Sequence, residues 1–254
     1  MKLTITSKFR TNHSISVDCV LFGFDGKKLN VLLTQRERIV NDETRIEKKL
    51  PGRMIFDNES LEISAQKVVE EFTAIIKADM KQLHIFSNPQ RVSGEELEWI
   101  NAYHGINTDR VVTVAYYGLV ILTPQIINAT NIRGGFWSEL DSIRHLIMDH
   151  TEILAKAVEV LCRDMANSPA AFDLLPHKFT VRQLQDLYSA VLGVEIDNRN
   201  FRKKILTSGL LTPTGEKEAQ VAHKPAQYYI FNRTAYIREM RQRSKLGFIS
   251  NWIY

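Results

Sequence analysis

The sequence predicts two modules of different class: a mixed α/β domain in front, and behind it an α+β module in which helices are closed by a strand pair. Three observations predict this. Strand-type runs bracket one helical stretch between residues 15 and 140, an order that reads as a mixed α/β domain. From Asp149 onward the order becomes helix, helix, helix and then two strands. The charge splits with it: residues 177–254 hold 13 Lys and Arg against 6 Asp and Glu, and since the whole chain is +4, the first 176 residues are net negative. A basic module behind a mildly acidic one is the electrostatic outline of a polyanion-binding segment attached to something else.

The 254 residues suffice for one or two domains at roughly 100–200 residues each. A composition of 44% apolar and 24% charged residues is that of an ordinary globular protein. It excludes a disordered chain, a collagen-like fibre and a small disulfide scaffold. No window reaches the ~18 consecutive apolar residues of a membrane span, and MKLTITSKFRTNHSISVD has no apolar core of signal-peptide length. A cytoplasmic protein without membrane contact is expected. Cys19 and Cys162 lie far apart, each in an apolar run, which reads as two buried free thiols.

Along the chain, ISVDCVLFGF (15–24) is a buried strand, rich in β-branched and aromatic residues. Asp25-Gly26 marks a hairpin turn, with LNVLLTQR as the returning strand. The charged stretch 37–49 reads as a loop, and Leu50-Pro51-Gly52 breaks the chain. SLEISAQKVVEEFTAI (60–75) has helical period, with Leu61, Ala65, Val68, Val69 and Phe72 on one side and Ser60 as N-cap. QLHIF (82–86) is a short strand, and 88–109 a long polar loop with one helical turn at most. RVVTVAYYGLVIL (110–122) is a long strand, and GGFWSEL (134–140) enters another.

Residues 149–166 form an amphipathic helix, with Asp149 as its cap and His150 on its first turn. After a connector, Thr180 and Gln183 make a capping box and Gly193 a C-cap. Asp197 opens the next helix, closed by Gly209, and two strands follow around a polar turn. Helix, helix, short turn, helix and a two-stranded wing is the winged helix-turn-helix order.

The helix after Asp197 carries Asn198, Arg199, Asn200, Arg202, Lys203 and Lys204 around Phe201, Ile205 and Leu206, which read as buried. Arg pairs with guanine and Asn with adenine in the major groove, while Lys meets phosphate. Asn198, Arg199 and Arg202 are therefore base-reading candidates, Lys203 and Lys204 phosphate-binding ones, and Asn200 belongs to the same DNA-binding set. Lys217, His223 and Lys224 of the wing, and Thr180 and Arg182 at the start of the preceding helix, complete the expected DNA-binding set.

The stretch 52–75 resembles the Nudix box, G-x5-E-x7-R-E-U-x-E-E-x-G-U with U apolar. Aligned on Glu59, the first Gly position holds Arg53 and the Arg position Lys67. Val68 and Phe72 stand for two of the glutamates, Glu71 and Ile75 match, and Ala74 replaces the last Gly. Active members hold Mg²⁺ or Mn²⁺ with carboxylates on one helix face, and Val68 and Phe72 cannot ligate a metal. No catalytic residue, metal or cofactor is expected.

FDLLPHKFTVRQLQDLYSAVLG, DNRNFRKKILTSGLL, KPAQYYIFN, MDHTEILAKAVEVL and RVVTVAYYGLV are together similar to the Nudix-related transcriptional regulators. The resemblance implies an α/β Nudix-like sandwich (1–147), a connecting helix (148–170) and an α+β winged helix-turn-helix with a tail (171–254). It implies a homodimer on a palindromic double-stranded operator, switched by a small effector, either a pentose sugar or an ADP-ribose-like nucleotide. Arg36, Arg53, Glu59, Glu71, Arg110 and Tyr116 are the effector candidates, with Trp99, Tyr103, Asn107 and Asp109 suited to a sugar. The missing box glycines tilt the expectation slightly toward the sugar. A divergent metal-dependent hydrolase of a nucleoside diphosphate derivative is the enzyme alternative.

Overall fold

The computed structural model describes residues 11–40, 43–92, 94–219 and 224–239. His223 of the wing and the apolar tail 247–254 lie outside the described residues. The chain divides between Leu161 and Cys162 into two compact units.

The front unit is built on one long strand, β1 (Thr11–Phe24). It pairs in parallel with β6 (Val112–Ile121), in register from Ile15 opposite Val112 to Phe24 opposite Ile121. The other edge of β1 is shared antiparallel: β4 (Gly52–Phe56) takes its first half and β2 (Leu29–Val40) its end. β3 (Glu43–Lys49) and β7 (Gly135–Glu139) pair with β2, and β5 (Met80–Phe86) pairs with β6.

Helices cover both faces of this sheet. On one face, Val17, Cys19 and Leu21 meet Ala65, Val68 and Val69 of α1 (Leu61–Thr73). Met54 is the register partner of Ser16 and so lies on the opposite face. There it packs with Ile100 of α2 (Glu95–His104) and with Val92 and Val111. Buried on both sides, β1 reads as a continuous apolar run rather than an alternating one. Both cysteines are free, Cys19 buried and Cys162 partly so.

Gly52 is required by close approach. A Cβ there would sit 1.9 Å from Asp18 Oδ1 and 2.7 Å from the Val17 carbonyl, so only glycine lets β4 lie against β1.

The structure departs from the sequence expectations at three places. The stretch expected as a loop at 37–49 is the end of β2 and all of β3. It is a largely solvated hairpin without an apolar period, joined by cross-strand pairs such as Arg36 with Glu47. The loop expected at 88–109 contains α2, whose only fully buried side chain is Ile100, so its periodicity is faint. α3 (Pro124–Ile132) went unassigned, although Thr123 at its N-cap and Pro124 after it are an explicit start signal.

α4 (His150–Asn167) ends the front unit and continues into the second. Beyond it, β8 (Phe179–Thr180), α5 (Val181–Leu192), α6 (Asn198–Thr207), β9 (Leu211–Lys217) and β10 (Gln227–Phe231) form a winged helix-turn-helix with sheet order β8-β10-β9. Phe179, Val181, Leu184, Leu187 and Val191 are its buried apolar residues, and Phe172 stacks on Phe231 at 4.0 Å.

Ala74 keeps the left-handed backbone of the glycine it replaces, with φ +63°, and closes α1 by donating its N–H to Glu70. A left-handed L-residue costs about 1–2 kcal/mol, and glycine adds back roughly 0.4–1 kcal/mol of chain entropy. Ala74→Gly should therefore stabilise by about 0.5–1 kcal/mol and raise Tm by roughly 1–4 °C. Calorimetry on the two proteins checks this; a lower Tm for the variant would contradict it.

Candidate functional site

In the second unit, local chemistry fixes where α6 begins. Asp197 caps it by accepting the Asn200 N–H at 2.7 Å. Phe201 and Ile205, one turn apart, face inward, and Phe201 lies against Tyr188 of α5 with ring centroids 5.7 Å apart. Asn198, Arg199, Asn200, Arg202, Lys203 and Lys204 are all exposed. Among the described residues none of the four cations is in an ion pair. Leu206, expected to be buried, is 37% exposed. It lies seven residues after Arg199 and four after Arg202, and so shares their outward face.

The other expected DNA contacts are more varied. Arg182 is exposed, 3.9 Å from Asp186. Lys217 and Lys224 are exposed on the wing. Thr180 is only 2% exposed. Its hydroxyl accepts the Gln183 N–H and its N–H donates to the Gln183 side chain, so the capping box holds its polar groups. Lys178, not singled out from the sequence, pairs with Glu216 across the wing at 2.7 Å.

In the front unit, the segment of degenerate box residues leads to an open cleft of about 520 Å³ at the end of α1. It is lined by Lys67, Glu70, Glu71, Ala74, Ile76 and Arg133. Two carboxylates thus share the cleft with two cations. Glu59 is held by Ser64 Oγ at 2.7 Å and Lys67 Nζ at 2.5 Å, with Arg53 3.5 Å away. Burial pushes the Glu59 carboxyl up, but these hydrogen bonds and cations outweigh it and hold it below the usual carboxylate range. Arg53 also lies over the Phe56 ring. Val68 is a core residue, 1% exposed, and Phe72 packs on the same core.

The remaining effector candidates do not converge on this cleft. Tyr116 is a core residue, 1% exposed, its hydroxyl 3.5 Å from Glu62. Burial, with Glu62 adding to it, pushes that phenol up to about 12. Arg110 is exposed and donates to the Ser87 carbonyl. Arg36 is 5% exposed. Its guanidinium is gripped by Glu47 at 2.6 Å and Glu96 at 2.7 Å and lies 4.6 Å from the Trp99 ring centroid. Trp99 in turn stacks on Tyr103 at 4.8 Å.

Sequence reasoning missed a second polar group, buried where α4 begins. Asp149 does not cap α4 with its side chain: both oxygens are taken by Arg91, at 2.7 Å each. A bidentate arginine satisfies a buried carboxylate better than one backbone N–H. His150 Nδ1 accepts the Leu50 N–H at 2.9 Å, which leaves its proton on Nε2, facing Asp18 at 3.9 Å. Nothing local in the sequence links Arg91 to Asp149 or Leu50 to His150.

With this geometry in hand, comparison with known proteins places the chain. Residues 171–231 match the NrtR DNA-binding winged helix domain. Over 85% of its length the chain is 24% identical to the ADPR responsive transcriptional repressor NtrR of Acinetobacter baylyi, covering 81% of that protein. It is similar to the crystal structure of Shewanella oneidensis NrtR complexed with a 27mer DNA, with a TM-score of 0.62 and 26% identity over 87% of this chain and 94% of that one. The fold is also that of a MutT/nudix family protein from Enterococcus faecalis, with a TM-score of 0.59 and 22% identity over 87% and 88% of the two chains. The chain shares its two-module architecture with the Shewanella oneidensis NrtR structure. Its second module is, more particularly, a winged helix domain of the NrtR type. Among the described residues no helix is long and apolar enough to cross a membrane.

Two histidines of the front unit carry a pH signature. Burial lowers His104 to about 4, with Lys49 adding to it, and burial lowers His150 as well. Below pH 6.5 the unfolded chain binds protons at these positions that the folded chain refuses, so stability falls as pH drops from 6.5 toward 4. Urea midpoints should decline from pH 7 to pH 5, and His104→Gln should flatten that decline. Equal declines in wild type and variant would refute the assignment.

Proposed function

We propose that this chain is an ADP-ribose-responsive transcriptional repressor that binds a palindromic operator as a homodimer. Residues 1–147 act as the sensor, 148–170 as the connecting helix and 171–254 as the DNA-binding module. The observation that carries the reading is α6, a helix pinned by Phe201 and Ile205 with Arg199, Arg202, Lys203 and Lys204 exposed and, among the described residues, out of ion pairs. Such a helix fits the major groove, with Arg and Asn on base edges and Lys on phosphate. A two-fold dimer presents two such helices to two half-sites. The similarity to proteins named for ADP-ribose response and for DNA complexation supports both halves of the reading.

The front unit serves as a sensor rather than a hydrolase. Glu70 and Glu71 share their cleft with Lys67 and Arg133, and Glu59 is already held by Lys67, Ser64 and Arg53. A hard divalent cation needs free carboxylates; at Glu59 it would have to displace Lys67 and Arg53, and at Glu70 and Glu71 it would enter a cleft that already holds two cations. A pentose effector has no counterpart among the relatives described above, and Trp99 and Tyr103 stack on each other rather than around an open sugar pocket.

The test starts from host genomic fragments selected on the purified protein at near-physiological salt, which should yield an enriched palindrome. Arg199→Ala should weaken binding to that operator about 10–100-fold, the equivalent of ~1–3 kcal/mol for a lost base contact. Binding to unrelated duplex should change little. ADP-ribose should release the wild-type protein from the operator and be recovered intact after incubation with Mg²⁺ or Mn²⁺. Wild-type affinity in the variant, measured by fluorescence anisotropy, would remove α6 from the interface.

A further inference from the structure

The β2–β3 hairpin carries an unusual charge on one face. Residues two apart on a strand share a face, and so do register partners across strands. Arg36 and Arg38 therefore face the same way as Arg45 and Lys49, because Arg36 pairs with Glu47, Arg38 with Arg45 and Thr34 with Lys49. Four cations and two carboxylates, Glu43 and Glu47, share this face. Like charges directly opposite, as Arg38 and Arg45 are, disfavour strand pairing.

The face is balanced from outside. Glu96 of α2 takes Arg36 at 2.7 Å and Arg38 at 3.2 Å, and Glu95 takes Arg38 as well. α2 itself is lightly anchored. Ile100 is its only fully buried residue, no side chain among the described residues caps its start, and it runs between two glycines at positive φ, Gly94 at +56° and Gly105 at +62°. Glu95 and Glu96 together supply the charge of a diphosphate.

Resting on the ADP-ribose reading, we propose that this hairpin face is the diphosphate-binding site of the sensor, with α2 as its latch. Glu95 and Glu96 hold the arginines until the diphosphate of the effector replaces them. The enclosure of Arg36 under Trp99 suits a small ligand rather than a duplex.

The test is calorimetric titration of the full chain with inorganic pyrophosphate and with ADP-ribose, in wild type, Glu96→Gln and Arg38→Gln. Glu96→Gln should bind both probes at least threefold tighter, because the competing carboxylate is gone. Arg38→Gln, whose side chain is partly exposed, should bind at least tenfold weaker. Opposite shifts from two substitutions in one ion pair cannot both come from misfolding. Unchanged affinity in both variants overturns the site, as does failure of both probes to bind wild type. ADP-ribose binding equally to all three would leave the effector reading intact and the site refuted. Pyrophosphate following the predicted order without any ADP-ribose binding would keep the site and remove ADP-ribose as effector. Operator affinity of Arg38→Gln should stay within twofold of wild type; a larger loss would assign the face to DNA and overturn the proposal.

Discussion

The front unit depends on the parallel pairing of β1 with β6. Two strands far apart in sequence meet in register over the whole span from Ile15 to Phe24, and every other strand is added to one of the two, directly or through β2. Parallel strands close no tight turn, so this pairing must be bridged by the intervening chain. That chain holds the box helix, the charged hairpin and α2. The loops and helices with functional character are thus insertions between two strands that must find each other. Such insertions tolerate charge and irregularity better than the strands do.

This division explains what was legible in the sequence. β1, β6, α1, α4 and α5 each bury a face in a core, and α6 half-buries Phe201 and Ile205; burial writes a period or an apolar run into the residues. Their ends were legible too, because Ser60, Thr180, Gly193 and Asp197 satisfy backbone groups through chemistry that few residues offer. β3 and α2 were not legible. Neither carries a strong apolar period, and the ion pairs that join them to β2, such as Arg36 with Glu47 and with Glu96, link different elements, which no window of sequence shows. The candidate site divided the same way. The outward cations of α6 follow from helical period alone. The clasp of Arg91 on Asp149 and the Leu50 bond to His150 follow only from the fold.

The degenerate box shows how a frame persists after its residues change. Ala74 still adopts the left-handed turn that ends α1, and Glu59 still meets the residue eight positions on, now Lys67. The geometry of the segment is thus kept by backbone conformation and one ion pair, neither of which needs a metal. Val68 and Phe72 meanwhile belong to the core that joins α1 to β1. Each apolar side chain buried there stabilises the fold by roughly 1.5–3 kcal/mol, whereas a carboxylate in the same place would be charged and unpaired.

That exchange bears on how such a domain can work as a sensor. Carboxylates at positions 68 and 72 would have to be desolvated against Val17, Cys19 and Val114, a cost of several kcal/mol unless a cation meets them. With valine and phenylalanine in their place, α1 docks on the sheet without waiting for a metal. The helix becomes a fixed wall, and on the proposed reading the parts that answer a ligand are those held by exchangeable charge, the hairpin cations and α2. A ligand shifts an equilibrium only by the difference between what it gains in each state. An anion gains little from a rigid apolar wall and much from arginines that can trade one carboxylate for another. In the proposed sensor, stability and responsiveness therefore fall to different residues of the same domain, the first to apolar contacts around β1 and the second to the ion pairs around it.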